Sequence, residues 1–171
     1  MLLEKNKIKL RSPELEDLDF LFQMENDTSL WHLSNTISPF SRFDLEQYIL
    51  LAEKDIFTAK QLRFIIEYNN LETIGIVDLF DFDPINKRAG VGIIIKENDQ
   101  NKGYATTALE ILFDYSNLKL GLHQLFCNIE SDNATSIRLF EKKGFEIAGL
   151  KKDWNFKDSV WVDELFLQKI F

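Results

Sequence analysis

The spacing of apolar and polar residues changes several times along the chain. Lys5 to Arg11 alternates, the two-residue period of a first strand. Ser12-Pro13-Glu14 then offers a capping hydroxyl, a first-turn proline and an early acid. Leu15, Leu18, Phe22 and Glu25 share one helical face with Leu21 alongside, predicting a helix over 13–26. Residues 26–40 read as irregular or partly helical. Phe43, Gln47, Leu50 and Leu51 predict a second helix over 42–55. The period then shortens. Leu62–Tyr68, Thr73–Phe82 and Ala89–Lys96 read as strands joined by turns at Asn69-Asn70 and Asn86-Lys87, an antiparallel meander. Ile93-Ile94-Ile95 is a continuous apolar run, as expected of a strand covered on both faces. Gly103–Lys119 is a helix with Ala105, Ala108, Leu109, Leu112, Phe113 and Ser116 in one stripe, ended by Gly121. Gln124–Ile129 is a strand, Asn133–Lys143 a helix stopped by Gly144, and Phe145–Leu150 and Val160–Ile170 are two closing strands. The order β-α-α-β-β-β-α-β-α-β-β predicts a mixed α/β (α+β) fold, with a mostly antiparallel sheet of about seven strands flanked by helices.

Composition narrows the function classes. The 171 residues, 45% of them hydrophobic, suit one domain over 1–171 with a substantial core. The net charge of −8 disfavours a nucleic-acid partner. The longest apolar stretches, such as Tyr48 to Ala52, are far short of the roughly 20 residues of a bilayer span, so no membrane partner is expected. Met1 to Lys9 lacks the apolar core of a signal peptide. One cysteine, Cys127, excludes an intrachain disulfide, and the widely separated His32 and His123 suggest no metal site. A cytoplasmic location is the expectation. The charge is also uneven. Residues 1–85 carry 8 basic and 16 acidic side chains, whereas 86–171 carry 12 of each. An acidic first half suits either plain solubility or a cationic ligand.

The most informative stretch runs from Lys96 through Gln100-Asn101-Lys102-Gly103-Tyr104-Ala105 into the long helix. Backbone N–H groups at a helix start lack intrahelical partners and lie at the positive end of its dipole, which favours phosphate. Gly103 permits close backbone approach, Ala105 is small, and Lys102 adds a charge. The loop lacks the Gly-Lys-Ser/Thr ending of a Walker loop and the three spaced glycines of a dinucleotide fingerprint.

Gln100-x-x-Gly103-x-Ala105 resembles the acetyl-CoA pyrophosphate motif of the GNAT superfamily of N-acetyltransferases. Asn133-Ala134-Thr135-Ser136 through Phe140-Glu141-Lys142-Lys143-Gly144-Phe145 resembles that family's second cofactor segment. Within the superfamily the chain looks most like the branch of spermidine/diamine and ribosomal-protein N-terminal acetyltransferases. Arg63-Phe64-Ile65-Ile66-Glu67, Gly75-Ile76-Val77-Asp78-Leu79 and Lys151-Lys152-Asp153-Trp154 carry that likeness.

The resemblance implies a sheet splayed between the fourth and fifth strands, with acetyl-CoA in the gap. The backbone of Ile93, Ile94 and Ile95 would pair with pantetheine. Gln100, Asn101, Lys102, Gly103, Tyr104, Ala105 and Thr106 would hold the pyrophosphate. Asn133 would bond the pantetheine, Ser136 would lie near the thioester sulfur, and Phe140 and Lys142 complete the cofactor segment. Asn133 also reads as a plain helix cap, and Ser136 as a solvated helix residue.

The implied chemistry is direct attack of a neutral amine on a thioester, which requires a proton acceptor because primary amines are protonated at neutral pH. Two positions depart from the family pattern. Phe140 stands where many members carry a Tyr that protonates the thiolate, leaving Ser136 or water. Ala89-Gly90-Val91-Gly92 stands where near relatives carry a Glu. Candidate replacement carboxylates are Asp78, Asp81 and Asp83, with alternation placing Asp81 and Asp83 on one face and Asp78 on the other. Glu25 and Asp27 are further cation-binding candidates. Trp31, with Trp154 and Trp161, is a candidate cleft aromatic. Cys127 reads as a buried small hydrophobe. The resulting expectation is an acetyl-CoA-dependent N-acetyltransferase acting on a small-molecule amine or a peptide N-terminus. The alternative is an acyl-CoA-binding sensor of the same fold with weak turnover. The apolar C-terminus, Leu165 to Phe171, suits either a homo-oligomer interface or the core.

Overall fold

The computed structural model describes residues 2–34, 36–51 and 55–171. It begins with a small hairpin, β1 (Glu4–Lys5) and β2 (Ile8–Arg11). The expected single strand over Lys5–Arg11 is therefore two, because Asn6 and Lys7 turn the chain with φ of 50° and 68°. Positive φ at two central residues gives a tight hairpin turn matched to strand twist. A 3-10 turn at Leu15–Asp17 leads into α1 (Leu18–Glu25). The cap is Glu14 rather than Ser12, and the Glu14 amide donates to Asp17 Oδ2 at 2.8 Å. Two short helices, α2 (Trp31–Ser34) and α4 (Ile56–Ala59), bracket α3 (Arg42–Leu51). The predicted continuation of α3 over residues 52–54 lies outside the described residues. The face of α3 also differs from expectation. Leu45 and Ile49, one turn apart, are buried, while Phe43, Leu50 and Leu51 are exposed.

The meander follows as β3 (Leu62–Tyr68), β4 (Glu72–Asp83) and β5 (Arg88–Ile95). Asn69 and Asn70, both at φ 58°, make the predicted turn. A 3-10 turn at Glu97–Asp99 leads to α5 (Tyr104–Leu118). Then come β6 (Gln124–Glu130), α6 (Ala134–Lys142), β7 (Glu146–Lys157) and β8 (Val160–Ile170). The last two form a long hairpin that turns at Asp158-Ser159, so β7 runs well past the predicted Leu150.

All eight strands join one sheet in the order β1-β2-β3-β4-β5-β6-β8-β7. Neighbours are antiparallel except β5 and β6, which are parallel and pair only at Arg88–Gly90 with Gln124–Phe126. Beyond these residues the two strands part, where the resemblance implied a splay.

Helices cover both faces. One side buries Ala108, Leu109 and Leu112 of α5 and Phe140 of α6 against Val77, Leu79, Val91 and Leu125. The other packs Leu21 of α1 and Leu45 and Ile49 of α3 on Ile65 and Ile76. Each fully buried Leu or Ile contributes about 1.5–3 kcal/mol. Ile93 leans on the first cluster and Ile94 on the second, so the Ile93–Ile95 run is covered from both sides.

Candidate active site

The parting of β5 from β6 opens a cleft of about 640 Å³. Gly92, Ile93 and Ile94 form one wall, and Cys127, Asn128 and Glu130 the other. Asn133, Ser136 and Phe140 of α6 close one end. Glu25, Trp31 and His32 from α1 and α2 cover it, and Lys151, Trp154 and Glu164 of the β7–β8 hairpin complete it. Residues 91–95 of β5 pair with β4 on one side, and no strand among the described residues pairs with them on the β6 side. Unpaired backbone N–H and C=O groups therefore line the cleft, ready for an amide-bearing ligand.

The predicted cofactor residues divide into two groups. Ile93, Ile94, Asn133, Ser136 and Phe140 line the cleft, whereas Ile95 turns into the core on the α5 side. Asn133 caps α6, its Oδ1 accepting from the Ser136 amide at 3.1 Å. That leaves its Nδ2 hydrogens for a ligand. Phe140 is buried and packs edge-on against Phe145. Gln100 to Thr106 form the loop and first turn of α5 beyond β5, outside the cleft wall. Gln100 Nε2 donates to the Ile95 carbonyl at 3.1 Å, so its side chain ties the loop to the strand. Lys102 pairs with Asp99 at 2.9 Å. Tyr104 packs on Tyr68 with ring centroids 4.8 Å apart. Gly103 has φ +82°, which only glycine adopts without strain, and a side chain built there meets nothing within 4 Å. Lys142 is exposed on α6 and does not face the cleft.

The candidate carboxylates are split by structure. Asp78 lies in the cleft but is held by Arg63, with Nε to Oδ1 at 2.7 Å and Nη2 to Oδ2 at 2.8 Å. Arg63 also donates to Glu25 Oε1. Burial alone would pull the Arg63 guanidinium down, but Asp78 and Glu25 hold it above its ordinary value. Asp81 and Asp83 are not in this cleft. A bulge between Phe80 and Asp83, with Asp81 at φ 48°, resets the alternation. Phe82 takes the core-facing place that period two gives Asp81, and both acids line a separate pocket with Arg88. Asp83 is further occupied by Asn86, at 2.9 Å from its amide and 2.7 Å from its Nδ2. Asp27 is also outside the cleft. It accepts from the Ser29 amide at 2.9 Å and hydroxyl at 2.6 Å, and these bonds lower its pKa. Trp31 lines the cleft and donates from Nε1 to the Glu25 carbonyl at 2.8 Å. Trp154 also lines it, while Trp161 sits exposed on the hairpin.

The missing Glu has a structural counterpart. The Phe80 ring lies over Gly90, where a Cβ would come within 2.3 Å of Cε2. A side chain at Gly90 would thus have to displace the aromatic ring.

Several cleft residues escaped the sequence reading: Arg63, His32, Asn128, Glu130, Lys151 and Glu164. Arg63 and Asp78 are direct cross-strand partners, a register that follows from the Asn69-Asn70 turn once its bulge is known. Asn128 and Glu130 lie two apart on β6, opposite in phase to buried Cys127 and Ile129. Lys151 donates to Asn128 Oδ1 at 2.9 Å and Glu164 Oε1 at 2.8 Å. Burial pushes the Cys127 thiol up to about 12, in keeping with an inert hydrophobe.

Comparison with known proteins places these features in context. Residues 7–146 match the family described as "Acetyltransferase (GNAT) domain". Over 145 residues the chain is 31% identical to spermidine N(1)-acetyltransferase of Escherichia coli, covering 84% of this chain and 75% of that protein. The crystal structure of spermidine N-acetyltransferase from Vibrio cholerae in complex with CoA and spermine superposes with a TM-score of 0.87 at 26% identity, over 97% of this chain and 96% of that one. A dodecameric structure of the Vibrio cholerae enzyme in an intermediate state gives a TM-score of 0.78 at 25% identity, covering 97% and 95%.

Proposed function

The chain belongs to the GNAT acetyltransferase family and is an N-acetyltransferase that uses acetyl-CoA, and from that premise we propose that its acceptor is a small polycationic primary amine of the polyamine kind. The observation that carries this reading is the charge of the cleft. Four carboxylates, Glu25, Asp78, Glu130 and Glu164, line it against the cations Arg63 and Lys151. Fixed negative charge in a partly enclosed cleft attracts an ammonium more strongly than it would in open water. The relatives named for spermidine support the same reading. The eight strands share one sheet, which supports treating residues 1–171 as a single catalytic domain.

Acetyl-CoA supplies the activated acyl group. The open edge of β5 at Ile93 and Ile94 would bond its amide-bearing arm, and the backbone N–H groups after Gly103 would meet its phosphates. Asn133 would donate from Nδ2 while still capping α6. Ser136, one turn before Phe140, would donate its hydroxyl proton to the departing thiolate, since Phe140 has none to give. A thiolate is a stable leaving group, with a thiol pKa near 8.5, so this help is modest.

The test is free-thiol release from acetyl-CoA with polyamines, basic-tipped peptides, amino sugars and aminoglycosides, with CoA binding followed by calorimetry. Spermidine or spermine should give the highest kcat/KM, with KM rising as salt screens the cleft. Faster turnover of neutral-backbone peptides or amino sugars would overturn the polyamine assignment.

A further inference from the structure

Removal of a proton from the acceptor ammonium has no obvious agent among the residues named by family likeness. Gly90 carries no side chain, and the Phe80 ring fills the space beside it. Asp78 and Glu25 both accept from Arg63, and Glu164 accepts from Lys151 at 2.8 Å and Asn155 at 3.2 Å. The Cys127 thiol is pushed up by burial.

His32 is placed differently. It stands on α2, lines the cleft, and keeps a third of its side chain exposed. Its Nε2 lies 3.7 Å from Oε2 of Glu130, whose side chain is 5% exposed. That Oε2 also accepts from Lys157 Nζ at 3.1 Å. The other oxygen, Oε1, is buried and has no partner among the described residues. At 3.7 Å the pair is a charge contact rather than a hydrogen bond, and a buried carboxylate so close to an imidazole meets the positive charge that a proton brings. Other charged groups lining the same cleft are Glu25 of α1, Arg63 of β3, Asp78 of β4, Lys151 of β7 and Glu164 of β8, while Lys157 of β7 reaches Glu130 and also binds Asp132 at 3.2 Å.

We propose that His32 takes the proton from the acceptor ammonium and that Glu130 is its positioning residue. This rests on the amine-acetyltransferase reading above. One ammonium N–H bond breaks, its electron pair stays on nitrogen, and the proton passes to a ring nitrogen of His32. The neutral amine then bonds the thioester carbonyl carbon, and the C–S bond breaks with its electrons on sulfur. The Ser136 hydroxyl gives its proton to the thiolate and takes the second amine proton in its place, giving amide and free CoA. The imidazolium returns its proton to solvent.

The experiment measures spermidine-dependent thiol release from pH 5.5 to 9.5 for the wild type, His32→Gln and Glu130→Gln, with thermal melts and calorimetric CoA binding alongside. His32→Gln should lower kcat/KM for spermidine about 100-fold near pH 7. The deficit should shrink as pH rises and free amine accumulates, added imidazole should restore part of the rate, and CoA affinity should change less than twofold. Glu130→Gln should give a smaller deficit of the same pH shape. If it fails to fold, His32→Gln alone decides. A deficit that is equal at every pH, or a His32→Gln rate within threefold of wild type, would overturn the role of His32 and leave the acetyltransferase reading intact. A wild type that binds CoA but acetylates no amine would overturn both.

Discussion

At the scale of single residues, Gly90 and Phe80 are one decision. With Phe80 Cε2 only 2.3 Å from a Cβ at Gly90, Gly90→Ala must displace the ring. The expected cost is about 1–3 kcal/mol by overpacking, read from urea unfolding. Gly92→Ala, whose nearest neighbour is 3.9 Å away, is the control and should stay within about 0.5–1 kcal/mol, a range set by the ordinary cost of filling space. Ser136 makes a second residue-scale prediction. Ser136→Ala should lower kcat about tenfold or less, with KM for acetyl-CoA little changed, because thiolates leave readily. An unchanged kcat would assign the proton to water.

At the scale of elements, the start of α6 tests whether one side chain serves both the helix and the proposed cofactor site. Asn133 Oδ1 caps the helix, while Nδ2 is left for a ligand. Asn133→Asp keeps the cap, since Asp caps as well as Asn, and removes the donor. It should melt like the wild type yet bind CoA more weakly. Asn133→Ala should lose about 1 kcal/mol of stability as well. Equal CoA affinity in Asn133→Asp would reduce Asn133 to a cap. The turn before α1 is a comparable device. Asp17 accepts from Arg11 at 2.7 and 2.9 Å and from the Glu14 amide, and Arg11 also reaches Glu67. Burial works against the Asp17 charge, but these bonds outweigh it and lower its pKa. A carboxylate lowered on folding stabilises the fold above the ordinary carboxylate range, and that contribution disappears as pH falls through the folded value. Asp17→Asn should therefore cost about 3 kcal/mol near neutrality. It should also flatten the loss of stability expected of the wild type below about pH 4. Urea midpoints from pH 7 to pH 2 check both.

At the scale of the molecule, the β7–β8 hairpin extends past its partner. β8 pairs with β6 only from Glu164 onward, leaving Trp154, Phe156, Val160 and Trp161 on an exposed tip. Exposed clusters of this kind mark interfaces. Light scattering should give a mass that is a multiple of 20.1 kDa, and Trp161→Glu should shift it downward. A monomeric wild type would rule this out. No helix among the described residues is long and apolar enough to cross a membrane.

What could be read from the sequence was local. Period-two alternation placed the meander, the α5 stripe announced its buried face, and two motifs pointed to the family, because strand and helix periods and capping chemistry act between near neighbours. The turn of the first hairpin was missed because Asn6-Lys7 interrupts no apolar run. The α3 face was misplaced because only packing against Leu21 selects Leu45 and Ile49. The candidate site depended still more on tertiary structure. Alternation could not foresee the bulge at Asp81, which takes Asp81 off the core face, nor that Asp81 and Asp83 sit at the end of β4 where β5 and β6 still pair, outside the cleft. Nor could spacing bring His32, Glu130 and Arg63 together with Glu25 and Asp78, since those meetings depend on strand register and on where β5 parts from β6. The sequence by itself determined the fold class, the family likeness and the acidity of the first half. The tertiary structure decided which carboxylates are free, which are held by Arg63, and that a histidine faces the cleft, because long-range contacts leave no periodic trace in the chain.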